Sequence, residues 1–130
     1  MAVTNAGPKT FTAGEALEAY CQVKLDSTAG QVVYADAADY QDVIGVTLDK
    51  VASGEKVAVQ LKNTGGTVKI RAAAPILAHA ELKGANDGEV TAVGSTTTEA
   101  VAGVALEAAS GDGAVIEVYL FPNVQVTDLS

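Results

Sequence analysis

Apolar and polar residues alternate in short runs along most of the chain, which is the period of a half-buried β-strand. Clusters of Gly, Ser, Asp and Asn separate the runs and predict turns. Only residues 13–20 would also fit a helical turn. The runs that fit strands are residues 20–25, 31–35, 43–48, 56–61, 67–71, 76–82, 89–93, 101–106 and 114–120. The pattern therefore predicts an all-β fold, built as a small β-barrel or sandwich.

The two ends of the chain lack this alternation. Residues 1–10 contain Gly7-Pro8, which interrupts regular structure, and they are interpreted as a flexible N-terminal arm. Residues 11–121 are predicted to form a single β domain, followed by a weakly patterned tail at 122–130. The length of 130 residues is typical of one domain.

The strand pattern also occurs twice along the chain. A shift of about 58 residues superposes glycines and apolar residues of the first half on those of the second half. The matched pairs are Gly30/Gly88, Val32/Val90, Val43/Val101, Gly45/Gly103, Val46/Val104 and Leu48/Leu106, then, one residue further, Val57/Ile116, Val59/Val118 and Leu61/Leu120. For the segment before them a shift of 57 is predicted, with Val23 on Ala80 and Leu25 on Leu82. Gly and Val are common here, so chance matches are easy, but the conserved order favours two copies of a three- or four-strand unit.

A turn at Asn63-Thr-Gly-Gly66 predicts a hairpin between residues 56–61 and 67–71. Four bases lie on it: Lys56, Lys62, Lys69 and Arg71. They are a candidate basic contact patch. The alternative is that they are ordinary solvated positions, which also protect strand edges from unwanted pairing.

The charge excludes several classes of partner. The formal net charge is −8, and residues 84–130 hold seven acids and no base. A nucleic-acid partner is not expected, because phosphate backbones need a dense basic surface. A membrane partner is not expected either, because no apolar run approaches the ~20 residues of a membrane span. The start of the chain lacks the order of a signal peptide.

The residues that carry chemistry are few. His79 is the only histidine and fits a surface or strand position. Cys21 is the only cysteine; it has no basic neighbour and is interpreted as a small buried side chain. Asp36, Asp39 and Asp42 are spaced by three, which does not match a calcium-binding loop. No catalytic, cofactor-binding or metal-binding residue is predicted, and the chain is not expected to be an enzyme.

Several segments in combination resemble the capsid cement, or head decoration, proteins of tailed phages. This family has often been labelled RecA-like phage recombinase. The chain lacks the Gly-x-x-x-x-Gly-Lys-[Ser/Thr] loop of such ATPases, which argues against that label. The resemblance extends over roughly residues 9–120. The segments are FTAGEALEAY at 11–20, VKL at 23–25, VIGV at 43–46, SGEKVAV at 53–59, VAGVALEAA at 101–109 and VIEV at 115–118.

The resemblance implies a structural virion protein, made in the host bacterial cytoplasm, on the outer surface of a phage capsid. Such proteins form homotrimers or related oligomers, need no cofactor, and bridge subunits of the major capsid protein. Their N-terminal arms often order on the shell, which here implies contacts by Ala2, Val3, Thr4, Asn5 and Lys9. The near-neutral residues 1–83 would then face the shell and the acidic residues 84–130 the solvent.

Two other functions remain open from the sequence. One is a carbohydrate- or host-surface-binding β module displayed on a particle. The other is a small enzyme or recombination factor, which the sparse catalytic residues disfavour.

Overall fold

The computed structural model describes residues 8–39, 41–62, 67–93 and 99–127. These residues form ten strands and two 3₁₀ turns, at Ala37–Asp39 and Asn86–Gly88. The strands are β1 (Lys9–Ala13), β2 (Gln22–Leu25), β3 (Gln31–Tyr34), β4 (Val43–Thr47), β5 (Lys56–Leu61), β6 (Val68–Arg71), β7 (Glu81–Gly84), β8 (Val90–Ala92), β9 (Glu99–Ala105) and β10 (Val115–Thr127). The predicted all-β fold is confirmed. None of the described helical segments is long and apolar enough to cross a membrane.

The first half of the chain, residues 8–62, closes into a five-stranded barrel. Its strand order is β1-β3-β2-β4-β5, with β1 parallel to β3 and antiparallel to β5. Because side chains alternate between the two faces of a strand, one residue in two enters the barrel. The interior is filled by small and branched side chains, namely Ala13, Leu17, Val23, Val32, Val57 and Val59.

The second half, residues 67–127, forms a five-stranded sheet in the order β6-β10-β9-β7-β8. Its two outer strands approach each other at an isolated parallel bridge between Ala72 and Val90. The sheet therefore curls around a second core. That core contains Ile70, Ala72, Ile76, Leu82, Val90, Ala102, Ala105, Ala109, Ile116, Val118 and Leu120.

The predicted repeat is confirmed by strand order and register. The order β6-β10-β9-β7-β8 reproduces β1-β5-β4-β2-β3, and the bridge at Ala72 reproduces the β1–β3 pairing. Matched strand pairs share one register, as Gly45↔Leu61 does with Gly103↔Leu120. Left-handed backbone recurs at matched positions too: Tyr20 and His79, Gly30 and Gly88, Gly54 and Gly113.

Two details of the predicted repeat are wrong. Each unit contains five strands and not three or four, and the first unit closes into a barrel by itself. Val23 corresponds to Leu82, not to Ala80, because Val23 pairs with Gly45 and Leu82 with Gly103. A slip of two residues keeps every side chain on the same face, so hydrophobic alternation does not distinguish the two alignments.

The predicted hairpin at residues 56–71 is also wrong. β5 pairs with β1 and β4, whereas β6 pairs with β10. The two strands belong to different halves, and the predicted turn at 63–66 lies outside the described residues. Residues 13–20 form no helical turn: Leu17 instead makes an isolated bridge to Val51.

Strand boundaries also change the predicted ends of the domain. β1 begins at Lys9, so Lys9 and Thr10 of the predicted arm belong to the barrel, paired with Val59 and Ala58. β10 extends to Thr127, so most of the predicted tail is strand. The arm residues 1–7 lie outside the described part of the chain.

Gly45 and Gly103 let neighbouring strands approach closely, and this generates a test. A methyl group at Gly103 would overlap the carbonyl oxygen of Tyr119 on β10, a backbone atom that cannot turn away. We expect Gly103→Ala to lower the free energy of unfolding by roughly 2 kcal/mol or more. Gly111→Ala is the matched control, since its methyl group would meet no atom within 4 Å. Urea denaturation of both variants measures the difference; equal stabilities would contradict this account.

Candidate functional site

The two halves meet at a junction on the outer side of the first barrel. Val46 on β4 points away from its own barrel, yet it is fully buried because it packs into the core of the second half. Gln22 on β2 lies opposite Val46 in register and is 2% exposed. The outer face of β2 and β4 is therefore an internal interface.

The 3₁₀ turn at Asn86–Gly88, here called the inserted turn, packs against this face. The Gly88 amide donates to the carbonyl oxygen of Ala35 at 3.0 Å, and the Asp87 amide donates to Asp36 Oδ1 at 2.9 Å. A Cβ atom at Gly88 would lie 2.5 Å from the backbone oxygen of Gln22. Only glycine fits here, because the backbone conformation is left-handed (φ 73°) and the space is filled.

Arg71, at the end of β6, joins the halves through both backbone and side chain. Its amide donates to the Tyr20 carbonyl at 2.8 Å. Its guanidinium donates to the carbonyls of Ala19 and Gly113, and Nη2 lies 3.9 Å from Glu18 Oε1. The buried Nε atom has no hydrogen-bond partner among the described residues. This arginine therefore acts as a structural link across the junction.

A polar cleft of about 330 Å³ opens at the junction. It is lined by Glu18, Cys21, Tyr34, Arg71, Asp87 and Glu89. Burial raises the pKa of the Cys21 thiol to about 11, although Arg71 acts in the opposite direction. The thiol is thus protonated near neutral pH, and Cys21 is the buried side chain that the sequence indicates rather than an activated nucleophile.

Two of the three spaced aspartates, Asp36 and Asp39, make structural contacts among the described residues. The Asp36 amide and the Lys24 ammonium, whose Nζ is 3.0 Å from Asp39 Oδ2, lower the pKa of Asp39. Asp36 in turn holds the inserted turn. Asp42 is exposed. In the part of the chain that the structure describes, no three His, Cys, Asp or Glu side chains are grouped to hold a metal ion.

His79 is exposed and lies in the turn before β7, at the position that Tyr20 occupies in the first half. Both residues adopt left-handed backbone, with φ of 71° and 64°. Its place in the fold is thus set by the repeated turn.

The four bases of the predicted contact patch are divided between the two halves: Lys56 lies on β5, Lys62 follows it, and Lys69 and Arg71 lie on β6. Lys56 Nζ donates to Thr12 Oγ1 at 2.8 Å, and burial lowers the pKa of the partly buried Lys62. Lys69 is exposed and lies opposite Glu117 in register. Arg71 belongs to the junction.

The pairing of Lys69 with Glu117 also bears on the predicted charge polarity. Acidic residues of the last third share a sheet with the bases of β6 and β7. The division at residue 83 therefore does not separate two faces of the molecule.

Of the predicted arm contacts, Ala2, Val3, Thr4 and Asn5 lie outside the described residues, and Lys9 is part of β1. Their role on a partner surface remains a prediction.

Sequence reasoning missed an exposed apolar surface on the second half. Leu77 is 80% exposed and Tyr119 is 51% exposed. The ring of Tyr119 makes an edge-to-face contact with Phe121, with ring centres 5.6 Å apart. The repeat could have indicated this surface, because two positions that are polar in the first half are apolar or aromatic in the second. Leu77 stands at the position of Glu18, and Tyr119 stands at that of Gln60.

Comparison with known proteins identifies a family and a solved structure with a similar fold. The family model described as "Phage cement protein" matches residues 6–120. No curated protein matches the chain. Among solved structures, the chain is similar to the N base of the head fiber protein gp8.5 of bacteriophage phi29, with 18% sequence identity and a TM-score of 0.71. The match covers 91% of this chain and 96% of the phi29 chain, and at this identity it shows a shared fold.

The cleft generates a prediction for Glu89. Burial and the neighbouring Asp112 raise the pKa of Glu89, so the folded protein disfavours its charged form. Stability contributed by the protonated form is present at low pH and lost as the pH rises through the raised pKa. Glu89→Gln should therefore stabilise the protein at pH 7, by less than about 1 kcal/mol because solvent screens this partly exposed group.

Urea denaturation at pH 7 and at pH 3.5 measures this effect, and the gain should shrink at the lower pH. Asp49→Asn, at an exposed position after β4, is the control and should show no such gain. A loss of stability in Glu89→Gln at pH 7 would contradict the conclusion that the folded protein disfavours the charged form of Glu89.

Proposed function

The chain belongs to the phage cement protein family, and we propose that it decorates the outer surface of a phage head and bridges neighbouring major capsid subunits. Family membership makes it a structural protein of a phage virion. The observation that carries the proposal is that the family match spans residues 6–120, and so includes strands of both halves and the junction between them.

The architecture suits a bridging role. Two similarly folded halves, linked by Arg71 and the inserted turn, give one copy the same strand arrangement at two places. A shell offers many copies of its own subunits, so a protein with a repeated fold can engage more than one of them. Several weak contacts made together give strong attachment, because each later contact forms at high effective concentration.

Self-association would multiply this effect, and a homotrimer is the form we propose. Exposed Leu77 and Tyr119 give the second half an apolar surface of the kind that is covered in protein contacts. A trimer would engage the shell through three copies at once. The measured mass in solution and on the shell tests this part of the proposal.

Two regions are proposed as capsid contacts. The segment before β1 would extend from the barrel onto the shell, where an extended chain can pair with an exposed strand. Among the bases, Lys56 and Lys69 are exposed and available for contact with an acidic partner surface. Arg71 is not proposed as a contact, because its side chain already joins the two halves.

Binding to purified shells tests the proposed function. The protein is mixed with expanded and with unexpanded heads, and bound protein is measured after sedimentation of the particles. We expect saturable binding to expanded heads and added density over the capsid subunits in an electron-microscopy reconstruction. Failure to bind heads of either form would overturn the proposal.

Deletion of residues 2–7 tests the arm. This deletion ends before Lys9, which pairs with Val59 in the barrel, so the fold should be retained. We expect a truncated protein with an unchanged urea midpoint but at least tenfold weaker attachment to expanded heads. Replacing residues 2–7 with a Gly-Ser segment of equal length is the control for chain length. Full occupancy of heads by the truncated protein would show that the arm is not a contact.

A further inference from the structure

We propose that copies of this protein associate head to tail through a contact that repeats the junction within each chain. The second half of one copy would receive the turn Thr28–Gly30 of the next copy, here called the free turn. This inference rests on the self-association proposed above and assigns it a surface.

Because the fold is repeated, each chain contains two copies of each surface of the junction, the outer strand face and the turn. Only one copy of each is buried in the junction within the chain. The first half contributes its outer β2–β4 face, and the second half contributes the inserted turn. Among the residues that the structure describes, Leu77, Glu81 and Tyr119 on the second copy of the face are exposed, and so is the first copy of the turn. The uncovered counterpart, here called the free face, consists of Leu77, Ala80, Glu81, Val104 and Tyr119, which match Glu18, Cys21, Gln22, Val46 and Gln60.

The free face is more apolar than the face already covered within the chain. Glu18 is replaced by Leu77 and Gln60 by Tyr119, and both replacements are strongly exposed. Exposed leucine and tyrosine side chains lose contact with water when a partner covers them, which favours association. In the first half, the matching face is covered by the inserted turn of the second half. The exposed apolar residues of the free face therefore point to the matching turn of a first half, the free turn of another copy, as their partner.

The free turn ends on a left-handed glycine, as the inserted turn does, although the inserted turn also has a left-handed residue at Asp87 and the free turn has none at Ala29. Gly30 has φ of 78° and Gly88 has φ of 73°. Around Gly88 the space is filled by Cys21 and the backbone of Gln22, whereas a Cβ atom at Gly30 would meet nothing within 4 Å. Repeating the junction between copies would place Gly30 against the Ala80–Glu81 backbone of the neighbour.

A second exposed side chain lies beside the free turn. Leu25 is 56% exposed and ends β2. Its counterpart Gly84 faces the junction, because a Cβ atom there would lie 3.6 Å from Gln22 Oε1. The repeated contact would therefore cover Leu25 as well. Leu25, Leu77 and Tyr119 are the three most exposed large hydrophobic residues in the described part of the chain, and all three fall on the two surfaces.

The contact between copies would lack polar bonds of the internal junction, because Thr12 stands at the position of Arg71 and has no guanidinium to replace the bonds to Ala19 and Glu18. The Arg71 amide donates to Tyr20 across the junction, whereas the equivalent Thr12 amide donates to Gly30 within its own barrel, at 2.9 Å. The contact between copies therefore has less polar bonding and more apolar area. A head-to-tail contact of this kind closes into a ring when its rotation permits, which fits a discrete oligomer such as the proposed trimer.

Gly30→Asn tests the free turn. Asparagine tolerates left-handed backbone, and a side chain has open space here in the single chain, so the variant should fold. In the repeated contact its Cβ atom would overlap the neighbour's backbone, as one at Gly88 would overlap Gln22. We expect a folded monomer by sedimentation velocity, with the circular dichroism of the wild type.

Gly54→Asn is the matched control. Gly54 also has a left-handed backbone, with φ of 87°, and open space around it, and so does its counterpart Gly113. This variant should remain associated like the wild type. Dissociation of both glycine variants would overturn the assignment, because strain in the turn would then be the common cause.

Leu77→Glu tests the free face independently. The substitution introduces the residue type of Glu18, which lies near Arg71 in the internal junction. In the contact between copies the uncharged Thr12 stands at the position of Arg71, so the new carboxylate would be buried without a positively charged partner. Because Leu77 is 80% exposed, the single chain should fold normally. We expect at least tenfold weaker association. An oligomer left unchanged by both Gly30→Asn and Leu77→Glu would overturn the proposal.

The outcome is separable from the proposed function. Wild-type protein that binds expanded heads only as isolated single copies would overturn the head-to-tail contact and leave capsid decoration intact. Wild-type protein that forms the oligomer, and loses it in both variants, would support the contact even where heads are not bound.

Discussion

Burial of Val46 against the second half is the contact on which the rest of the structure depends. A unit of about sixty residues buries a smaller fraction of its surface than a larger domain does, and its stability is correspondingly marginal. The side chains inside the first barrel are mostly valine and alanine, which contribute little area each. Packing the outer face of β2 and β4 onto a second unit adds apolar burial that a single unit lacks. Duplication therefore strengthens this fold as well as repeating it.

The same contact explains why the two halves have diverged. Two identical units joined head to tail cannot both be covered, because one face and one turn are always left over. The covered face holds Gln22 and the fully buried Val46, together with polar partners for Arg71. The uncovered face has Leu77 and Tyr119 where the first half has Glu18 and Gln60. Divergence of this kind is expected where an uncovered surface acquires a partner outside its own chain.

The strands and their repetition could be predicted from the sequence, because both follow from local hydrophobic alternation and from the spacing of glycines. Which strands pair with each other could not be predicted in this way. The turn at 63–66 is a strong local signal for a hairpin, yet β5 and β6 each find their partners within their own half, which a local pattern does not record. The register error at Val23 has a similar origin, since alternation is unchanged by a slip of two residues.

The candidate contact surface was missed for a further reason. Nothing in the sequence shows that the outward-facing Val46 is buried, so its counterpart Val104 and the nearby Tyr119 look like ordinary outer positions. The repeat alone identifies equivalent residues; only the structure shows which of them form an interface. Once that is known, the difference between Gln60 and Tyr119 supports the proposed contact.

Charge then bears on where association occurs. Residues 1–62 hold five bases and eight acids, and residues 63–130 hold three bases and eight acids, so both halves are acidic. Like charge opposes contact between free copies, and the repulsion weakens as salt rises. On a shell, copies held close together by their own attachment meet at high effective concentration, and a modest apolar contact is then sufficient. The proposed contact would therefore be weaker between free copies than between copies held side by side on a shell, and raising the salt concentration would strengthen it between free copies.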